Sequence, residues 1–158
     1  MGKATAVDAH RSESADVKLE RENVLQVLRG DWVAAVRGIT LVSVDDNELV
    51  IAQDIDQSDV NGVGAAHSGV LYTIADTAAG ITANALEPGT QWLTDTATIH
   101  HQALAHRGDR LTATSKLVAD GDGTRRFETT LRSSAGDVIA ILDSVQVRIE
   151  SEDAEDPA

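Results

Sequence analysis

The pattern of hydrophobic and polar residues divides the chain into a helix, two strands, a second helix and four further strands. Apolar residues recur at helical spacing from Val17 to Leu28, and Gly30 supplies a C-terminal cap. The runs Ile39–Val44 and Glu48–Gln53 are rich in β-forming residues and are joined by a short polar turn. The first third of the chain therefore predicts an amphipathic helix followed by a β-hairpin.

The second helix is predicted over residues 68–86 and is apolar around most of its circumference, ending before Pro88-Gly89. Four strand-like runs follow it, and turn residues between the later ones predict an antiparallel meander: Thr94–His101, Arg110–Ala119, Thr124–Arg132 and Val138–Ile149. A helix that is apolar nearly all round must be wrapped by the sheet, since a single flat contact would leave half of it in water. The predicted class is α+β.

Composition restricts the kinds of protein this can be. A chain of 158 residues suits one domain, which we place at residues 16–149 between a disordered N-terminus (1–15) and an acidic disordered tail (150–158). The net charge of −13 argues against nucleic-acid and anionic-membrane partners. The absence of cysteine, of a long apolar run and of a signal-peptide core predicts a soluble cytoplasmic protein. The acidic, lysine-poor composition is typical of a salt-loving host.

Asp76 is the only charged residue between Ser68 and Leu86. A carboxylate inside an apolar helix is costly unless it is paired, solvated by a cleft or used in a reaction, so Asp76 is a candidate for a functional site. The alternative interpretation is a narrow polar stripe, formed with Thr73, Thr77 and Asn84, that simply touches water.

The segment that leads into this helix, residues 61–69, contains glycine at 62, 64 and 69. Glycines allow the backbone to turn tightly and to approach a ligand, and the free N–H groups of a first helical turn favour an anion. Such donors suit the oxyanion that develops on a carbonyl during acyl transfer. The plain alternative is an ordinary helix start capped by His67 or Ser68.

These residues together resemble the signature of hotdog-fold acyl-CoA thioesterases of the PaaI and 4-hydroxybenzoyl-CoA type. That signature has an Asn, then His-Gly-Gly, then Leu-Ala-Asp, and is matched here by Asn61, His67-Ser68-Gly69 and Asp76. The similarity continues through residues 94–99 to Arg107-Gly108-Asp109-Arg110-Leu111 and covers roughly residues 35–149. It implies a sheet curled round one long helix, and hydrolysis of an acyl-CoA to a free acid and CoA.

The resemblance also implies roles for individual residues. The N–H of Ser68 would hold the oxyanion, although the family has glycine at this position, and Asp76 would act as general base or nucleophile. Asn61 would orient the thioester, His67 would support the turn, and Thr94 would place the attacking water. For Asn61 a plain role in a turn, and for Thr94 a plain role in a strand, are the alternatives.

The spacing along the helix bears on oligomeric state. Asp76 follows Ser68 by eight residues, or about 12 Å at 1.5 Å per residue. The Ser68 N–H and the Asp76 carboxylate of one chain therefore cannot both contact one thioester carbonyl. Antiparallel helices across a twofold axis would bring them together. The resembled family builds its sites in this way, so we expect a homodimer or a homotetramer.

The remaining histidines and arginines are weaker indications of a binding site. His100, His101 and His106 lack a fourth ligand at metal-like spacing, so no metal is expected, and the resemblance implies no cofactor because CoA is part of the substrate. Arg107, Arg125 and Arg126 are candidates for the CoA phosphates. Two other functions stay open, namely an acyl-CoA-binding module without turnover and a hotdog hydratase or dehydratase.

Overall fold

The computed structural model describes residues 18–150. The predicted disordered N-terminus and nearly all of the acidic tail lie outside these residues. Three α-helices and six strands follow one another within residues 18–150, with one 3-10 turn (Gln57–Asp59) before α3: α1 (Arg21–Gly30), α2 (Trp32–Arg37), β1 (Thr40–Val44), β2 (Glu48–Asp54), α3 (Ser68–Leu86), β3 (Gln91–His101), β4 (Arg110–Gly121), β5 (Thr124–Arg132) and β6 (Val138–Ile149). None of the helices in this part of the chain is long and apolar enough to cross a membrane.

The six strands form one antiparallel sheet in the order β1-β2-β4-β5-β6-β3. The long helix α3 packs on this sheet and contacts β2 through β6, and α1 packs against α3. The core between them is made of fully buried aliphatic and aromatic side chains, the largest of which are Phe127, Leu49, Ile51, Ile74, Ile81, Leu111, Leu131, Ile139 and Leu142. The predicted α+β class and the sheet curled round a central helix are confirmed.

The predicted meander is right for β4, β5 and β6 and wrong for β3. Strand β3 pairs along its length with β6, so it forms the far edge of the sheet and does not neighbour β4. The loop of residues 102–109 makes this possible, because eight extended residues reach up to roughly 26 Å and two intervening strands occupy about 4.8 Å each. Hydrogen bonds from Gln102 N–H to Ile139 and from Gly108 N–H to Ile55 hold the loop across the sheet's end.

The N-terminal region also differs from the prediction. The first helix begins at Arg21, and a second short helix, α2, follows it with only Asp31 between them. The Asp31 side chain accepts a hydrogen bond from the N–H of Ala34 and so caps α2, which ends at Gly38 in the left-handed conformation. This helix has only six residues, and residues 32–36 are all apolar, so its sequence is too short and too uniform to show a helical period. Trp32 and Val36 lie exposed on it.

Candidate active site

Asp76 lies on the one polar stripe of α3. The helix residues between 70 and 86 that are only half-buried are Tyr72, Thr73, Asp76, Thr77, Gly80 and Asn84, which recur at intervals of three and four. All six line a cavity of about 540 Å³, which Asp31, Val33, Trp92, Leu93, Thr94 and Gln146 help to close. We call this space the carboxylate cavity. The narrow stripe of the alternative interpretation therefore exists, and it forms the wall of a cavity.

A chain of three hydrogen-bonded side chains holds the carboxylate. The Thr94 hydroxyl donates to Asp76 Oδ1 at 2.7 Å, and the Gln146 amide donates to Thr94 Oγ1, also at 2.7 Å. The register of the β3–β6 pair makes this possible, since Thr94 and Gln146 lie directly opposite each other. Asp76 Oδ2 accepts no hydrogen bond from residues 18–150, and Asp76 is one of the residues that line the cavity.

Two more side chains complete the wall of the carboxylate cavity. The Asn84 amide donates to the Trp92 carbonyl at 2.9 Å and accepts from the Trp92 N–H at 3.0 Å, which ties the start of β3 to α3. Burial raises the pKa of Tyr72, and the negative charge of Asp76 raises it further. The Tyr72 phenol therefore keeps its proton at neutral pH and remains a hydrogen-bond donor in the cavity.

The N-terminus of α3 lies beside a second, smaller pocket of about 280 Å³. We call it the amide pocket. The helix is capped by His67, whose ring Nδ1 accepts a hydrogen bond from the N–H of Gly69 at 2.9 Å. The N–H groups of Val70 and Leu71 donate to the His67 carbonyl. In the first turn this leaves the N–H of Ser68 as the one amide without an acceptor among the described residues.

Gly69 and Ser68 differ in whether their positions in the turn require a glycine. A Cβ on Gly69 would lie 3.1 Å from His67 Nδ1, so a larger residue there would push the capping ring by a few tenths of an ångström. Ser68 is exposed and does not have a positive φ, so its backbone conformation does not require glycine. The departure from the His-Gly-Gly pattern is therefore compatible with the same local backbone.

Asn61 shapes the loop that borders the amide pocket. Its Oδ1 accepts hydrogen bonds from the N–H groups of Val63 at 3.0 Å and Ala65 at 3.1 Å. The turn also needs Gly64, whose φ is +82°. The Nδ2 group makes no hydrogen bond within residues 18–150. The Asn61 side chain thus both holds the turn and offers an amide donor at the pocket it lines.

A buried ion pair, missed by the sequence analysis, supports the same loop. Asp59 is 5% exposed, and it pairs with Arg37 of α2 at 2.5 Å. Its other oxygen accepts from Asp56 N–H at 3.0 Å and from the Gln53 amide at 3.3 Å. The Asp59 carbonyl accepts the N–H of His67 at 2.8 Å. This pair therefore ties α2 and the loop to the residue that caps α3.

The three arginines proposed to bind phosphate lie in different surroundings. Arg125 is almost fully buried, stacks on Trp92 at 4.1 Å, and bonds to Asp120, Glu87 and the Ala83 carbonyl. Its guanidinium is thus engaged inside the protein. Arg126 is exposed on β5. Arg107 is exposed in the loop whose residues 103–105 line the amide pocket, and it donates to Gln57 at 3.2 Å.

The structure brings Asp76 and Thr94 together in one cavity, and Asn61, His67 and Ser68 together in the other. The two cavities have no lining residue in common. His101 lines the amide pocket, whereas His100 lies exposed on β3. Within residues 18–150 there is no group of three or more His, Cys, Asp or Glu side chains that could hold a metal ion.

The chain is similar to thioesterases both in sequence and in structure. The family model described as the thioesterase superfamily matches residues 63–140. Acyl-coenzyme A thioesterase PaaI of Escherichia coli K12 is 25% identical over 128 residues, which cover 81% of this chain and 90% of that protein. The structure of the E. coli PaaI protein from the phenylacetic acid degradation operon superposes with a TM-score of 0.77, covering 82% of this chain and 92% of that one.

Two more distant solved structures share the fold. Thioesterase HI1161 of Haemophilus influenzae has a TM-score of 0.77 at 14% identity, covering 89% of this chain and 99% of that one. The protein smu.793 of Streptococcus mutans UA159, solved bound to acetyl CoA, has a TM-score of 0.66 at 20% identity, covering 70% of this chain and 88% of that one. The predicted hotdog fold is confirmed by these likenesses.

Proposed function

We propose that this chain, which belongs to the thioesterase superfamily and has the hotdog fold of its solved relatives, hydrolyses an acyl-CoA to a carboxylic acid and free CoA. The observation that carries the proposal is the position of two complementary groups on α3. A carboxylate with an available oxygen lies in one cavity, and a backbone N–H without an acceptor lies at another. The first suits a base and the second an oxyanion donor.

The reaction needs both groups at one carbonyl, so we propose that each site is shared by two chains. Both cavities border β3, since Leu93 and Thr94 line the carboxylate cavity and His101 lines the amide pocket. Strand β3 forms an edge of the sheet and runs for eleven residues, a length that favours pairing with another strand. Antiparallel pairing of β3 with its copy about a twofold axis would bring opposite ends of the two strands together. A homodimer of this kind, alone or paired into a tetramer, has two complete sites.

In such a site the Ser68 N–H, at the positive end of the helix dipole, polarises the thioester carbonyl and holds the oxyanion. Asp76 from the other chain takes a proton from water as the water oxygen attacks the carbonyl carbon. The carbon–sulfur bond then breaks, and CoA leaves as a thiolate that is protonated by solvent. Direct attack by Asp76 Oδ2, giving a mixed anhydride that water hydrolyses, is the second route.

The hydrogen bonds at Thr94 restrict its part in this reaction. Its single hydroxyl proton goes to Asp76 Oδ1 and one lone pair receives the Gln146 amide, so one lone pair is left. Thr94 can therefore only accept a hydrogen bond from the attacking water. A water that donates to both Thr94 Oγ1 and Asp76 Oδ2 directs its own lone pairs into the cavity, toward the thioester.

The remaining residues are proposed for substrate binding. Asn61 would direct its Nδ2 donor to the thioester, and the His67 ring would keep the first turn in place. Arg107 is the arginine best placed for the CoA phosphates, because its loop borders the amide pocket and its side chain is exposed. Binding of acyl-CoA is supported by the acetyl CoA in the S. mutans structure.

The test is release of free thiol from a panel of acetyl-, medium-chain, long-chain and aromatic acyl-CoAs. We expect hydrolysis of at least one class, with carboxylic acid and CoA formed in equal amounts. Binding of acyl-CoA without thiol release would support the non-catalytic module. Hydration or dehydration of an enoyl- or hydroxyacyl-CoA without thiol release would support the third function and contradict the proposal.

A further inference from the structure

Gln146 is a fully buried polar residue on β6 that the sequence analysis did not single out. Its amide nitrogen donates to Thr94 Oγ1 at 2.7 Å, and the residue has 0% exposure. It lines the carboxylate cavity without being accessible to solvent. It is therefore placed to act on Asp76 through Thr94.

The contact with Gln146 determines which way the Thr94 hydroxyl proton points. A threonine hydroxyl has one proton to donate, and its rotation normally lets that proton follow the strongest nearby acceptor. The Gln146 N–H occupies a lone pair of Thr94 Oγ1 from one side, so the Thr94 proton points away from Gln146. The acceptor it then meets is Asp76 Oδ1.

The same residue makes an unfavourable contribution to stability. Its carbonyl oxygen, Oε1, is buried and accepts no hydrogen bond from the described residues. A buried acceptor without a partner lowers stability, so an apolar side chain of similar length would fit this position at least as well. Polar residues that lower stability beside a cavity are typical of functional sites.

We propose that Gln146 is a positioning residue for the reaction proposed above: it fixes the Thr94 hydroxyl as a donor to Asp76 Oδ1 and thereby leaves Oδ2 to act on water. Gln146 touches neither the substrate nor the water. Its effect on the reaction passes through Thr94, which gives the inference a specific test.

The experiment compares Gln146→Met, Gln146→Glu, Thr94→Val and the double variant Thr94→Val/Gln146→Met. Methionine removes the donor at similar volume, so kcat should fall by about 2- to 12-fold, the range of one neutral hydrogen bond, with KM changed less than twofold. Glutamate keeps the shape but presents acceptors to Thr94, so kcat should fall further than with methionine. The Gln146→Met change should have no added effect when Thr94 is already valine.

Stability provides the second measurement. Because Gln146→Met removes a buried polar group without a full set of partners, its melting temperature should equal or exceed that of the wild type while its kcat falls. A residue with a purely structural role would lose activity and stability together.

Ser144→Ala is the matched control. Ser144 lies two residues earlier on the same face of β6, is buried, and has a hydroxyl without a partner among the described residues. Its removal should leave kcat unchanged.

A crystal structure of Gln146→Met tests the inference without any substrate. Because the Gln146 donor no longer holds Thr94 Oγ1 from the β6 side, we expect this oxygen to move out of hydrogen-bond distance of Asp76 Oδ1. An unchanged Thr94–Asp76 bond, an unchanged kcat, or an equal loss of kcat in the Thr94→Val background would overturn the assignment of Gln146. A wild type that hydrolyses no acyl-CoA would instead overturn the proposed function, and the Thr94 position in the crystal would still decide the role of Gln146.

Discussion

The carboxylate cavity and the amide pocket lie at different parts of one helix and are built in opposite ways. The carboxylate cavity takes its reactive group from a side chain inside α3, held by a threonine and a glutamine on neighbouring strands. The amide pocket takes its donor from the backbone, as the one first-turn N–H that the His67 cap leaves without an acceptor. In the proposed reaction the first region accepts a proton and the second donates a hydrogen bond.

Under the proposed mechanism, this difference means that neither region is a complete thioesterase site alone. A base without an oxyanion donor activates water but leaves the developing negative charge unsupported. A donor without a base polarises a carbonyl that no nucleophile then attacks. Because a straight helix keeps the two about 12 Å apart, the proposed mechanism needs a second chain to contribute the missing half of the site. The following variants test each region separately, from the largest expected effect to the smallest.

The largest effect is expected in the amide pocket, from Ser68→Pro. Proline lacks the N–H but is well tolerated at the first position of a helix, and His67 already has the extended conformation that a residue before proline prefers, with φ −62° and ψ 137°. The variant should fold normally and lose about 100- to 1,000-fold in kcat, the loss typical of one oxyanion donor. Ser68→Gly keeps the N–H and is the control. Steady-state thiol release measures both, and equal activity of the proline variant would show that this N–H is not used.

In the carboxylate cavity, Asp76→Asn should lower turnover by at least about 100-fold with folding intact, the low end of what a positioned base supplies. Asp95→Asn makes the same chemical change at an exposed residue beside Thr94 and should have little effect. Circular dichroism checks the fold of each variant. Hydrolysis at a near wild-type rate by the purified Asp76→Asn variant would remove Asp76 from the mechanism.

A smaller effect is expected from the ion pair that supports the amide pocket. Arg37→Met leaves Asp59 buried without its cation, which should lower the free energy of unfolding by about 2 kcal/mol, less than for a fully buried pair because Arg37 is partly exposed. Activity should fall as the His67 cap loosens. Urea unfolding measures the change, and Arg110→Met, which removes an exposed partner of Asp54, is the matched control. Equal small losses in both variants would show that the buried pair does not support the loop.

The smallest effect is expected from salt, which screens the negative surface charge. With a net charge of −13, self-repulsion should weaken as the Debye length falls from about 30 Å at 0.01 M salt to about 3 Å at 1 M, so melting temperature should rise between about 0.05 and 2 M KCl. If Arg107 contacts the CoA phosphates, KM should rise over the same range, because salt weakens exposed ion pairs. A flat or falling melting temperature would remove the argument for a salt-loving host.

The sequence predicts local features of the fold well. The bounds of α3, β5 and β6 agree with the prediction, because capping residues, proline, glycine and strong turns mark them locally. The position of β3 was wrong, since its pairing with β6 joins residues about fifty positions apart and depends on a loop that crosses the sheet. The short helix α2 is not predicted, because its six residues are too few to show a helical period.

In the candidate site, too, the residues marked by local sequence are predicted and those that depend on distant partners are not. Asp76, Ser68 and His67 stand out because an isolated charge or a glycine-rich turn is visible in a short window of sequence. The bonds from Gln146 to Thr94 and from Arg37 to Asp59 join residues 52 and 22 positions apart. Nothing in the local pattern marks these partners, since a single polar residue in a strand commonly faces water. The buried environment that gives them their roles is a product of the fold.

Complementation between two inactive variants is the most direct test of the shared site. Ser68→Pro and Asp76→Asn chains are denatured, mixed in equal amounts and refolded, and native mass spectrometry counts the heterodimers. Each heterodimer has one site without a substitution, so random pairing should restore about one quarter of wild-type activity. Heterodimers that form in the expected proportion yet hydrolyse no more acyl-CoA than the two parent variants would contradict a site built from two chains.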